Sequence, residues 1–261
     1  MKDFPKLMTS SILLYRDCGR DSVLGMIKAW PGIIAPFIYI LALSLFQNLF
    51  SFVLHGFVGG LIFGLVNTLI AANYYCLVLH AINKEKVVLN ELWGETIAIF
   101  PSVLNVLFAL WIVTLLGGGL LNNAFAVAAV NLVLFVVLNP LPELTYLKGG
   151  GFIQAAEESY YLIRDNALEW FLPFSVFFGP LFFRSSFTEF TYIVSQINLI
   201  DFWRVYLGII LGVLRNSGDL FYGLGLPVAL LLTHFMMVFR GNLFLRLSTS
   251  SRRKRIHQLN A

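Results

Sequence analysis

The residues best placed to do chemistry in this 261-residue chain form one short segment, Asn139-Pro140-Leu141-Pro142-Glu143. Its two prolines remove two backbone donors and block two helical hydrogen bonds. Carbonyls freed in this way, beside the Glu143 carboxylate, could line a cation or substrate site, as broken helices do in transporters. The plainer reading is a kink that steers the chain into a following surface helix. Glu143 then sits at the membrane interface and reaches water at little cost.

Other candidates are more scattered. His80 and His234 lie towards the ends of two apolar stretches and could meet in space to ligate a metal or haem. Neither has a second ligand nearby in sequence, and the alternative is a helix-end histidine with an ordinary hydrogen-bond partner. His55 falls at an outer span end and His257 in a basic tail. Asn67, Asn105 and Asn131 lie inside three different spans. They fit either a polar substrate site or interhelical hydrogen bonds of roughly 1 kcal/mol each. Gly117-Gly118-Gly119 and Gly149-Gly150-Gly151 lack the Lys-Ser/Thr of a phosphate loop and read as hinges or turns. Gly56, Gly60 and Gly64 form small-xxx-small pairs that suit close helix approach. With no paired carboxylates, histidine-rich helix or activated serine, no catalytic residue, cofactor or metal is expected.

The elements that must position these residues are apolar. Hydrophobic residues make up 58% of the chain and charged residues 12%, against about 25% charged in a soluble domain. Apolar runs long enough to cross a bilayer recur at 31–53, 59–82, 97–116, 124–146 and 220–243, and a sixth, less regular and fifth in chain order, runs from Trp170 to about 190. The expected fold is all-α: a polytopic membrane protein with about six transmembrane helices. One transmembrane domain would fill residues 1–261, with a cytoplasmic amphipathic segment at 1–30, the bundle at 31–245 and a basic cytoplasmic tail at 246–261. The start of the chain does not read as a cleavable signal peptide.

Basic residues set the expected orientation. With the N-terminus inside, 15 of the 18 Lys and Arg fall on the cytoplasmic side, Arg240 among them. Arg184, Arg204 and Arg215 fall outside. Six spans return the basic C-terminus to the same side, so both termini are placed in the cytoplasm. Cys18 and Cys76 share that side, so no disulfide is expected. The stretch 205–214 is too short to span and reads as an outer interfacial or re-entrant helix, or as part of a seventh crossing from Tyr192. Arg215 and Asp219 are spaced to pair on a helix.

Trp30-Pro31, Phe100-Pro101 and Leu172-Pro173 recur at 70 and 72 residues. Each opens a hairpin after an amphipathic stretch. This reads as three repeats of a surface helix plus a hairpin, or as the ordinary period of a six-span protein. Phe152, Ala156, Tyr160, Ile163, Ala167 and Phe171 recur at helical spacing and predict a helix lying on the inner surface. Asn166 with Glu169 predicts a cap for the span that follows. Trp30, Trp93 and Trp170 suit the headgroup region.

This layout, carried by the three proline-opened segments and the basic end after Arg240-Gly241, resembles bacterial six-helix inner-membrane proteins of the YciC type and the membrane domain of some glycerophosphodiester phosphodiesterases. The resemblance is one of pattern over most of the chain. It implies architecture and a place in the bacterial inner membrane, and transfers no active site.

No Asp, Glu, Lys or Arg is expected near the middle of a span, which disfavours ion-coupled transport. The first expectation is a non-catalytic membrane subunit that scaffolds or assembles a larger inner-membrane complex. Its partners would be membrane lipids, other membrane subunits and a cytoplasmic protein at the basic tail, with no nucleic acid. The alternatives are a transporter or permease subunit for a lipophilic substrate, with a cavity lined by Asn67, Asn105 and Asn131, and a lipid-modifying enzyme built around Glu143, His80 and His234.

Overall fold

The computed structural model describes residues 4–50, 56–120, 124–184, 202–215 and 222–249. All regular elements among them are α-helices: α1 (Phe4–Lys28), α2 (Pro31–Phe50), α3 (Phe57–Asn83), α4 (Leu89–Leu120), α5 (Ala124–Val137), α6 (Leu141–Leu147), α7 (Phe152–Arg184), α8 (Phe202–Arg215) and α9 (Tyr222–Thr249). Five stretches of the described residues are long and apolar enough to cross a membrane, by length and composition: Pro31–Phe50, Val58–Asn83, Leu89–Val113, Ala129–Leu147, which includes the turn at 138–140, and Gly225–Thr249. The all-α, multi-span expectation therefore holds. His55, His257, Asp219, the stretch from Tyr192 to Asp201 and the tail from Ser250 lie outside the described residues.

The last helix is the axis of the packing. In α9, 72% of the spanning window is buried, against 17% in each of α2 and α4. Around α9 pack α1, α2, α3, α6, α7 and α8. Three glycines set how closely these helices approach. A Cβ on Gly25 of α1 would run into the backbone carbonyl of Ala81 in α3. On Gly32 it would strike the His234 ring, and on Gly241 the side chain of Ile82. Gly56, Gly60 and Gly64, expected to mediate close packing, have open space around them. The small-xxx-small pattern fails here because the touching surfaces are built from glycines outside it.

Turns fall where backbone chemistry dictates. Gly149 and Gly150 adopt φ of 68° and 97°, a left-handed region that costs glycine little, and they separate α6 from α7. Gly117 to Gly119 do not form a hinge of that kind, because α4 continues through them to Leu120. Lys84 closes α3 with φ 58° and ψ 38°, donating its N–H to the Ala81 carbonyl. Helix α7 bends at Asn166, where φ is −138° and ψ 26°. The helical geometry thus breaks at the residue where the sequence placed a new helix start.

The first half of α7 packs through Ala155, Ser159, Leu162, Ile163 and Asn166. That face is rotated from the predicted stripe, since Tyr160 and Ala167 are exposed. Of the predicted stripe, Ile163 is buried and Phe152, Ala156 and Phe171 pack half-buried against the core, while Tyr160 and Ala167 face outwards; the packed face also takes in Ser159, which donates to the Val137 carbonyl at 2.6 Å.

Candidate functional site

The fourth apolar run is not one helix. It ends as α5 at Val137, turns through residues 138–140 and restarts as α6 at Leu141. Pro140 and Pro142 supply no N–H, so the helical ladder cannot pass through them. The break leaves the Asn139 carbonyl and the Glu143 carboxylate side by side, as the sequence allowed. A cation does occupy this place, and it is the chain's own Arg240.

Arg240 Nε donates to Glu143 Oε1 at 2.5 Å and Nη2 to Oε2 at 2.8 Å. Nη2 also donates to the Asn139 carbonyl at 2.7 Å, and Nη1 to the Tyr206 hydroxyl at 3.2 Å. Both charged side chains have 0% exposure. The guanidinium lies 5.3 Å from the Trp170 ring centre and 4.9 Å from that of Phe174. Trp170 Nε1 donates to Asn139 Oδ1 at 2.9 Å. One residue thereby ties α6, α7, α8 and α9 together. A fork of planar donors suits this bidentate role in a way a lysine would not.

Four expectations are corrected by this cluster. Glu143 is not at a watery interface. Arg240 is not part of a surface basic stretch. Trp170 is fully buried inside the bundle and is not an outward-facing indole. The spans also contain buried charge, since Arg240 lies inside Gly225–Thr249.

A second polar layer sits beside the first. Tyr74 and His234 share a 3.2 Å hydrogen bond through the hydroxyl and Nδ1. The rings of Tyr39, Tyr74 and Trp203 lie 5.6 to 6.2 Å apart in pairs. Tyr39 donates to Asn73 Oδ1, and Asn73 Nδ2 donates to Thr96 at 2.7 Å. Trp203 Nε1, His234 Nε2 and the Thr233 hydroxyl are buried and have no hydrogen-bond partner among the described residues. Arg204 donates to Asn67 Oδ1, which lies within the span Val58–Asn83. Arg204 is thus half-buried against α3. The first turns of α8 carry Trp203, Arg204 and Tyr206 against α3 and α9.

The remaining candidates separate. His80 Nε2 is 2.8 Å from Glu95 and Nδ1 is 3.7 Å from Glu85, so His80 and His234 have different partners and do not form one site with Glu143. No group of three His, Cys, Asp or Glu suited to a metal occurs among the described residues. Asn105 accepts the Phe152 N–H at 3.0 Å, satisfying an orphan donor at the start of α7. Asn67 and Asn105 thus have different partners, and Asn131 is half-buried in α5.

At the end of the bundle holding residues 84 and 246, Asp21 receives Lys84 and Arg246, each at 2.6 Å. Asn242 donates to Ser22 at 3.1 Å. The Lys84 hydrogen bond, with Arg246 adding to it, holds the Asp21 carboxyl below its ordinary range. Burial pushes the nearby Cys18 thiol up to about 12. Cys18 and Cys76 are both free and buried.

Sequence reasoning missed Tyr74, Trp203, Tyr206 and Asp21. One signal was present: Trp203 and Tyr206 are three apart, on one face of a helix too short to span. No protein-family model, curated protein or solved structure matches this chain.

Proposed function

We propose that this chain is a non-catalytic integral subunit that scaffolds a larger complex in a bacterial inner membrane, with both termini in the cytoplasm. The observation that carries the reading is the contrast between α9 and the helices α2 and α4. Most of α9 is consumed by internal packing, while α2 and α4 leave Phe37, Leu41, Leu45, Phe108 and Trp111 facing outwards. Such faces fit the helices of neighbouring subunits or lipid. The polar groups at the broken helix are taken up by an internal ion pair, which suits a fixed frame.

Site-specific photo-crosslinkers at Leu41 and Trp111 test this. The subunit reading expects one discrete crosslinked membrane protein that also co-purifies in mild detergent in fixed ratio. Crosslinks to lipid alone, with a monomeric chain, contradict it.

The second reading is a transport component for a lipophilic substrate. It draws support from the buried polar atoms of Trp203, Thr233 and His234 beside α8, which have no hydrogen-bond partner among the described residues. A saturable rise in melting temperature with one class of lipophile, absent in His234→Phe, would favour it over the subunit.

A further inference from the structure

Helix α1 turns ordinary amphipathicity inside out. The face packed on α3 and α9 holds Ser11, Leu14, Cys18, Ser22, Gly25 and Met26, mostly small or polar. The outward face carries Ile12, Val23, Leu24 and Ile27, each between 43% and 68% exposed. In water such a helix would roll over to bury its larger side chains. It stays as it is only if its outer surface meets an apolar phase.

The turn after α3 continues that surface. The 2.6 Å Lys84–Asp21 ion pair pins this turn against α1. Beyond it, Val88, Leu89 and Trp93 point outwards, as does Trp30 at the end of α1. Cations are interleaved with them. Lys84, Lys148, Arg164 and Arg246 of this end each have a carboxylate partner. Arg20, Lys28 and Lys86 are exposed and, among the described residues, have none within ion-pair distance. The basic residues therefore divide into those that hold helices together and three that are left facing outwards along an apolar rim.

We infer that Arg20, Lys28 and Lys86, with Leu24, Ile27 and Leu89 between them, form a seat for anionic phospholipid headgroups. The aliphatic side chains enter the acyl boundary and the ammonium and guanidinium groups meet lipid phosphates. Trp30 and Trp93 stand at headgroup level, where indole rings concentrate. Three cations with no described carboxylate within ion-pair distance favour anionic over zwitterionic lipid. An acidic protein would satisfy the cations but leave the aliphatic row facing water. This inference does not depend on the subunit reading.

The test uses the full chain in phosphatidylcholine nanodiscs containing brominated phosphatidylglycerol or brominated phosphatidylcholine at equal mole fraction. The contribution of Trp30 and Trp93 is obtained by difference from the Trp30→Phe/Trp93→Phe variant. Brominated phosphatidylglycerol should quench that contribution roughly twofold more strongly, as local enrichment by unpaired cations requires. Arg20→Gln/Lys28→Gln/Lys86→Gln should abolish the difference with the melting temperature unchanged, because none of the three holds an ion pair. Equal quenching by the two lipids overturns the inference. So does a preference that survives the triple substitution, or an absence of quenching by either lipid.

Discussion

Glu143 and Arg240, 97 residues apart in sequence, meet through two parallel hydrogen bonds of 2.5 and 2.8 Å with neither side chain exposed. The relationship explains why a helix broken by two prolines is stable inside an apolar bundle. The carbonyl and carboxylate exposed by the break are satisfied by a guanidinium delivered from α9.

Removing one partner should be costly. Arg240→Ala leaves Glu143 and the Asn139 carbonyl buried without their donor, a loss of about 3–5 kcal/mol for a pair of this kind. Glu143→Gln should also destabilise, by a smaller amount, since the amide still accepts one hydrogen bond. Thermal unfolding in a fixed detergent measures both. A change below about 1 kcal/mol for Arg240→Ala would mean that water reaches the pair.

Glycine substitutions should divide into two groups. Gly25→Ala and Gly32→Ala should destabilise by about 1–3 kcal/mol through overpacking. Gly60→Ala and Gly64→Ala should be neutral or stabilise by up to about 1 kcal/mol, from helix propensity alone. His234→Ala should rescue Gly32→Ala, whose clash is with a side chain, and should not rescue Gly25→Ala, whose clash is with backbone. Melting temperatures of the six variants decide this.

Much of the frame was legible in the sequence because it follows from local rules. Two prolines spaced as Pro140 and Pro142 remove neighbouring donors, and the break at 138–140 appeared beside them, whereas the more widely spaced Pro31 and Pro36 leave α2 continuous. The Gly149-Gly150 turn and the bend at Asn166 are equally local. Arg240 was misread because a lone arginine near the end of an apolar run looks the same whether it reaches headgroups or an internal carboxylate. Its partner lies on another helix, and no periodicity links positions 143 and 240. Trp170 failed for the same reason: an indole at a span end suits an interface or a buried acceptor equally well. The α7 stripe was periodic as read, but periodicity does not say which face meets protein and which meets lipid.

Acid should loosen α1. The folded-state pKa of Asp21 is depressed by Lys84 first and Arg246 second. Its contribution to stability is therefore present above the unfolded value of about 3.9 and is lost as pH falls through the lower folded value. Cys18, buried beneath this contact, reports it. A dithiodipyridine reagent, which reacts with thiols in acid, should label Cys18 faster below about pH 4. Asp21→Asn should label readily at neutral pH. Flat reactivity of both proteins across this range would show that the ion pairs do not hold α1 in place.

Helix α7 should present Tyr160 to the apolar phase and Glu157 to water. Spin labels at these positions should differ, with the label at 160 more accessible to oxygen and the label at 157 more accessible to an aqueous nickel complex. A label at the buried Ser159 should be immobile. Equal accessibility at 157 and 160 would place this half of α7 away from the membrane surface.

The central claim is that the buried pair holds a scaffold together and does no chemistry of its own. The direct measurement is host-complex assembly and activity in the paired replacement Glu143→Leu/Arg240→Met, which fills the same space without charge and is often tolerated when both partners of a buried pair are exchanged. The account predicts a folded chain that still crosslinks to its partner from Leu41 and Trp111, in a complex of undiminished activity. A folded, fully assembled complex that has lost activity would contradict it and make the pair itself the working site.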